Sequence, residues 1–176
     1  LNLKVPKIIK QGKYLEEDYC KDLTFPCIEK PSHKWAPAIV INNKEEVLKL
    51  KEQAENREWP RHINNDYYIE EFLHNMIETN VFFAISNGKY VITHTQEIIG
   101  EGLNKTVVPS VWYFDTYIKP LSPYVDKIVR HEAKKYLEYI AKMGGSWEGS
   151  FCGAYTSEGE WYFLEINVRP DIFNST

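Results

Sequence analysis

The sequence predicts an α+β fold in which antiparallel hairpins dominate, and three observations predict it. The apolar stretch "TNVFFAISNGKYVITHTQE" is split by Asn87-Gly88, a pair that takes the left-handed backbone of a two-residue hairpin turn at little cost. A second pair of apolar runs, "GSFCGAY" and "WYFLEINV", flanks the turn-rich "TSEGE". Between the two hairpins lies "YVDKIVRHEAKKYLEYIAKM", residues 124–143. There Val125, Ile128, Val129, Ala133, Leu137, Ile140 and Ala141 recur at helical spacing, and Gly144-Gly145 stop the helix.

The remaining elements follow in order. "LNLKVPKIIK" reads as a short strand or extended entry, because Pro6 bars a helix. "KYLEEDYCKDL", 13–23, reads as a short helix, and "FPCIEKP", 25–31, as a buried strand ended by proline. After the turn "SHKWAP" comes a strand at "AIVIN", 38–42. Asn43 then caps a helix over 44–57, with Val47, Leu48 and Leu50 as its apolar side. "YYIEEFL", 67–73, and "SVWYFDTYI", 110–118, complete the strands.

Composition narrows the function. With 43% hydrophobic residues in 176, the chain can bury a sizeable core in one domain or two small lobes. A net charge of −4 provides no broad attraction for nucleic acid. No apolar run approaches the ~18–20 residues that span a bilayer. Cys20, Cys27 and Cys152 are odd in number and lack metal-ligand spacing, which points to free thiols in a reducing, cytoplasmic setting. The chain opens on Leu1 in mid-pattern, as a segment of a longer protein would.

Candidate chemistry begins at "EWYFLEINVRP", 160–170. Strict alternation places Trp161, Phe163, Glu165, Asn167 and Arg169 on one side of the strand. An acid and an amide one pleat apart can aim oxygens at a hard cation such as Mg²⁺, and an arginine beyond them can clamp an anion. Lys30 closes an apolar strand just before a turn. Glu70 and Glu71 end another, so one of them faces inward and needs a partner. Lys119 lies four residues after Asp115. His94 can border a cleft, whereas His131 is a surface or packing residue of the long helix.

The order strand-Lys-Pro, E-E-F-L, a later acid and finally E-x-N-x-R resembles the ATP-grasp superfamily, from about residue 5 to 176. The resemblance implies two α+β lobes with antiparallel sheets enclosing a nucleotide cleft. Residues 1–72 would form the smaller lobe and 73–176 the larger, without the amino-terminal domain that normally precedes them. It further implies ATP and Mg²⁺ as cofactors and small-molecule carboxylate and amine substrates. Lys30 would reach the ATP phosphates and the adenine edge. The main chain of Glu70, Glu71, Phe72 and Leu73 would bind adenine, and Glu78 the ribose hydroxyls. Lys119 would touch the transferring phosphoryl group, Glu165 and Asn167 would hold metal, and Arg169 would lie near the transferred phosphate or acyl substrate.

Two positions depart from the family pattern. The loop after Lys30, "PSHKWAP", has no glycine to close over phosphates, which leaves His33 and Lys34 as side-chain substitutes. On the strand before Glu165, Cys152 and Gly153 stand where a metal-binding acid is usual, with Glu148 and Glu158 as distant replacements. Thiols are poor Mg²⁺ ligands. Three functions remain open: a ligase that activates a carboxylate as an acyl phosphate, a catalytically weak ATP-binding module for regulation or scaffolding, and a β-rich interaction domain with no nucleotide site.

Overall fold

Turn chemistry and helix caps fix most element boundaries. A computed structural model describes residues 4–13, 21–31, 38–56, 66–100 and 116–168. The helix expected within 13–23 and most of the strand expected within 110–118 lie outside these residues. Described contacts cluster into two compact units. One is centred on Pro6–Phe72; the other holds Leu73–Ile99 and Tyr117–Thr176, with Leu1–Val5 at the start of the chain.

In the Pro6–Phe72 unit, β1 (Ile8–Lys13), β2 (Cys27–Pro31), β3 (Ile39–Ile41) and β4 (Asp66–Glu71) form a sheet ordered β1-β4-β2-β3. All pairings among its described strands are antiparallel. Helix α1 (Lys44–Glu55) starts where Asn43 Oδ1 accepts from Glu46 N at 3.1 Å, while the Glu46 carboxylate accepts from Asn42 N at 2.8 Å. This reciprocal arrangement satisfies donors that the first turn would leave open. Val47, Leu50 and Ala54 pack the helix onto Cys27, Ile41, Tyr67 and Ile69. Leu48 corrects the expected apolar side. It is 49% exposed, because the buried stripe at 47, 50 and 54 turns position 48 outward.

In the second unit, β5 (Met76–Ser86) and β6 (Lys89–Gly100) form the hairpin, with Asn87 at φ 51° and Gly88 at φ 76°. β7 (Thr116–Pro120), β8 (Ser146–Thr156) and β9 (Trp161–Asn167) complete a sheet ordered β7-β6-β5-β8-β9. Helix α2 (Pro123–Ala141) is capped by Ser122, which accepts from Val125 N, and begins with proline, whose missing donor costs nothing there.

One face of this sheet is the core. Val81, Phe83, Ile85, Phe151 and Trp161 bury against Val125, Val129, Ala133, Tyr136, Leu137 and Ala141 of α2. Each large apolar side chain so buried stabilises by ~1.5–3 kcal/mol. Aromatic contacts lock the corner, with Tyr136 stacked on Phe163 at 4.5 Å and edge-on to Trp161 at 5.9 Å. Trp161 covers Gly153, whose added Cβ would lie 2.3 Å from the indole. The indole Nε1–H donates to Thr79 Oγ1 at 2.8 Å, and that hydroxyl donates to Gly153 O. At the sheet edge, Phe163 N donates to Lys4 O, and Lys4 forms an ion pair with Glu160.

Candidate functional site

The β8–β9 register overturns the alternation expected along the last strand. Phe163 opposes Gly153 and Glu165 opposes Cys152, so Leu164 is an extra residue with no partner. That bulge shifts the phase of the pleat. Trp161 and Phe163 face α2, whereas Glu165 and Asn167 face the other side with Cys152 and Ser150. The strand thus changes the nature of its contacts by changing face.

The side away from α2 is polar across several strands. Gln96, Asn80, Cys152 and Glu165 are consecutive partners on β6, β5, β8 and β9, and so form one row. Glu78 opposes Ala154, one pleat along β5 on the same side. The Cys152 thiol donates to Asn80 Oδ1 at 3.1 Å, and Asn167 Nδ2 lies 3.6 Å from that sulfur and donates to Glu165 Oε1 at 3.1 Å. Gln96, Asn80 and Cys152 are buried, and Glu165 is exposed. Gln96 Nε2 and Ser150 Oγ are buried without a hydrogen-bond partner among the described residues. Unpaired buried polar atoms are costly and call for a partner.

Glu78 is the most perturbed acid of this face. Burial, and then the like charge of Glu165, push its carboxyl up to about 7. His94, opposite Phe82, stacks on that ring at 4.0 Å. Gly149 permits the close approach of β9, because a Cβ there would lie 2.2 Å from the Asn167 carbonyl oxygen.

Lys119 does not join this group. Its Nζ lies 3.1 Å from Glu97, which opposes Thr79 and so shares the α2 side of the sheet. Arg169 and Asp115 lie outside the described residues, as do His33 and Lys34 of the glycine-free loop.

In the Pro6–Phe72 unit, Lys30 lies on the face turned away from α1. It forms an ion pair of 2.7 Å with Glu70 and sits 5.9 Å from the centre of the Tyr68 ring. Of the two adjacent acids, Glu70 is the buried one and Lys30 is its partner. Glu71 instead ties down the sheet edge, its carboxylate accepting from Lys7 N at 2.8 Å and its own N–H donating to Lys7 O. Phe72 and Leu73 follow β4 as half-buried coil.

Glu165 and Asn167 place a carboxylate and an amide oxygen on one face, donors of the type that a hard cation such as Mg²⁺ takes. Among the described residues, no three His, Cys, Asp or Glu side chains gather as a self-sufficient metal cage.

Sequence reasoning passed over Asn80, Gln96 and Ser150. The signal for two of them was present: in "MIETNVFF" polar Glu78 and Asn80 alternate within an apolar strand, and His94 and Gln96 do so on its hairpin partner.

Two antiparallel sheets with the strand orders above define an α+β architecture, and comparison with solved structures finds the same fold elsewhere. The chain carries the ATP-grasp fold. VanG D-Ala:D-Ser ligase from Enterococcus faecalis matches with a TM-score of 0.67 at 19% identity, over 96% of this chain and 48% of that one. N5-carboxyaminoimidazole ribonucleotide synthetase from Thermotoga maritima matches with a TM-score of 0.62 at 22% identity, over 97% and 38%. The biotin carboxylase domain of Hydrogenobacter thermophilus 2-oxoglutarate carboxylase, in complex with MgADP, ADP and bicarbonate, matches with a TM-score of 0.63 at 15% identity, over 97% and 37%. The chain therefore spans about half or less of the length of these structures. No family model matches it. No curated protein matches it.

Proposed function

We propose that the chain is the nucleotide-binding part of an ATP-dependent ligase that activates a carboxylate as an acyl phosphate for attack by an amine. The observation that carries this reading is the Leu164 bulge, which turns Glu165 and Asn167 onto the polar face shared with Glu78. A β-strand that only closed a core would not need that reversal. Similarity to an MgADP-bound biotin carboxylase domain and to two ligase or synthetase structures supports it.

In the reaction, a carboxylate oxygen attacks the γ-phosphorus and the bond to the ADP oxygen breaks. The amine nitrogen then attacks the acyl carbon, phosphate leaves with the C–O electron pair, and the nitrogen loses a proton. The protein contributes by positioning and by neutralising charge. Magnesium, when bound, would supply charge neutralisation at the phosphates. Glu165 and Asn167 would hold it, Glu78 would accept from the ribose hydroxyls, and the main chain of Glu70–Leu73 would bind adenine. Lys30 already carries its charge on the open face of its sheet and would share it between Glu70 and phosphate. Lys119 would exchange Glu97 for the transferring phosphoryl group, and Arg169 would meet the transferred phosphate or the acyl substrate.

Residues 1–72 would serve as the smaller lobe and 73–176 as the larger. A further domain of the same protein would help select the carboxylate and amine. No helix of the described residues is long and apolar enough to cross a membrane. A cytoplasmic setting is part of the proposal; Cys27 and Cys152 are buried outside any disulfide.

The test is Mg²⁺-dependent ADP release from ATP, which should rise when candidate carboxylates and amines are added together. One observation favours a second reading: Cys152, not an acid, is the direct partner of Glu165. If the protein binds ATP and releases no ADP with any carboxylate–amine pair, it is a nucleotide-binding module. If ATP with Mg²⁺ produces no thermal shift, both readings fail.

A further inference from the structure

The row Gln96–Asn80–Cys152–Glu165 shows what replaces the missing acid. Cys152 is not merely near the position opposite Glu165; it is the Cα partner of that residue. Two carboxylates facing each other on neighbouring strands can hold a pair of cations between them. Here one of the two places is taken by sulfur, and the sulfur is engaged on both sides. Its S–H donates to Asn80 Oδ1, and the Asn167 amide approaches it from β9. Sulfur is a soft ligand and offers a hard cation no oxygen. It is also only 5% exposed, with Asn80 still deeper at 1%.

The other acid of this face does not fill the gap. Glu78 stands one pleat away, opposite Ala154, and is itself buried. The described acids and thiols form no group of three that could take an ion without help. Among the described residues of this face, Glu165 is exposed and Asn167 half-buried, and both carry oxygen donors.

We infer that this site takes a single divalent cation per bound nucleotide, the second cation position being occupied by the hydrogen-bonded Cys152–Asn80 pair. The inference rests on the nucleotide-binding reading given above. It also makes the deficit local: restoring one carboxylate at position 152 should restore the second ion, because Glu165 already faces that position across the strand pair.

The experiment counts Mn²⁺ by the electron paramagnetic resonance signal of the free ion, titrated into the intact protein with a saturating non-hydrolysable ATP analogue. Nucleotide occupancy is measured separately by equilibrium dialysis. The wild type should bind one Mn²⁺ per bound nucleotide, Cys152→Ser one, and Cys152→Asp two. Two ions in the wild type would overturn the inference, as would one ion in a folded, nucleotide-bound Cys152→Asp. If the buried aspartate prevents folding, the counts for wild type and Cys152→Ser decide. Failure of the analogue to bind at all would show in the dialysis and would remove the nucleotide reading itself.

Discussion

Glu78 ties the stability of the larger unit to its proposed function, and Glu78→Gln tests that link. The folded carboxyl is raised from 4.5 to about 7, by burial first and by Glu165 second. The folded protein therefore holds this proton more tightly than the unfolded chain does. Between pH ~4.5 and ~7, unfolding releases the proton, so stability falls as pH rises through that window and is flat with respect to this group on either side. At ~1.4 kcal/mol per pKa unit, the full difference is on the order of 3 kcal/mol. The assay is urea denaturation of wild type and Glu78→Gln at several pH values from 4 to 8.5. The two curves should diverge with rising pH, and the variant should be more stable above pH 7 by up to ~3 kcal/mol. If they run parallel, Glu78 is not a destabilising buried acid and the reasoning fails. The same variant should bind ATP roughly tenfold more weakly, because an amide is a poorer acceptor for two ribose hydroxyls than a carboxylate. A stabilised protein that binds its ligand less well is the expected cost of a strained site.

Other perturbations separate structure from site. Gly153→Ala would put a Cβ 2.3 Å from Trp161 and should destabilise by ~1–3 kcal/mol or more, read as a lower thermal midpoint. Gly149→Ala would press on the Asn167 backbone at 2.2 Å and should weaken Mn²⁺ binding in the nucleotide complex as well as stability. Lys30→Ala would leave the buried Glu70 carboxylate without its ion-pair partner, and a loss of ~1–3 kcal/mol in denaturant titration is expected. Deleting Leu164 would remove the bulge, yet regular alternation after Phe163 would keep Glu165 and Asn167 opposite Cys152 and Ser150, away from α2. Cation binding in the nucleotide complex should survive, and a deletion variant that folds, binds nucleotide and loses the ion would refute the face assignment.

Much of the fold was legible because its signals are local. Asn87-Gly88, the Asn43 cap and the apolar spacing of 124–143 each depend on neighbours within a few residues, and each marks an element present in the structure. The same holds for Glu70 and Glu71, where a simple pleat argument showed that one acid must be buried. What escaped depended on pairing between distant strands. Nothing within "WYFLEIN" says that Leu164 will be skipped; the skip exists only relative to Gly153 and Cys152. Gln96 and Asn80 are unremarkable in their own strands and become a polar row only once β5, β6 and β8 are aligned. Leu48 was misplaced for a smaller reason: apolar identity was counted before helical phase.

The unpaired Leu164 divides responsibilities along β9. Trp161 and Phe163 pack on α2 while Glu165 and Asn167 face the other side, so the two pairs can vary under separate pressures. A designer could rebuild the aromatic wall at 161–163 without touching the acid and amide, or reshape those two without loosening the wall.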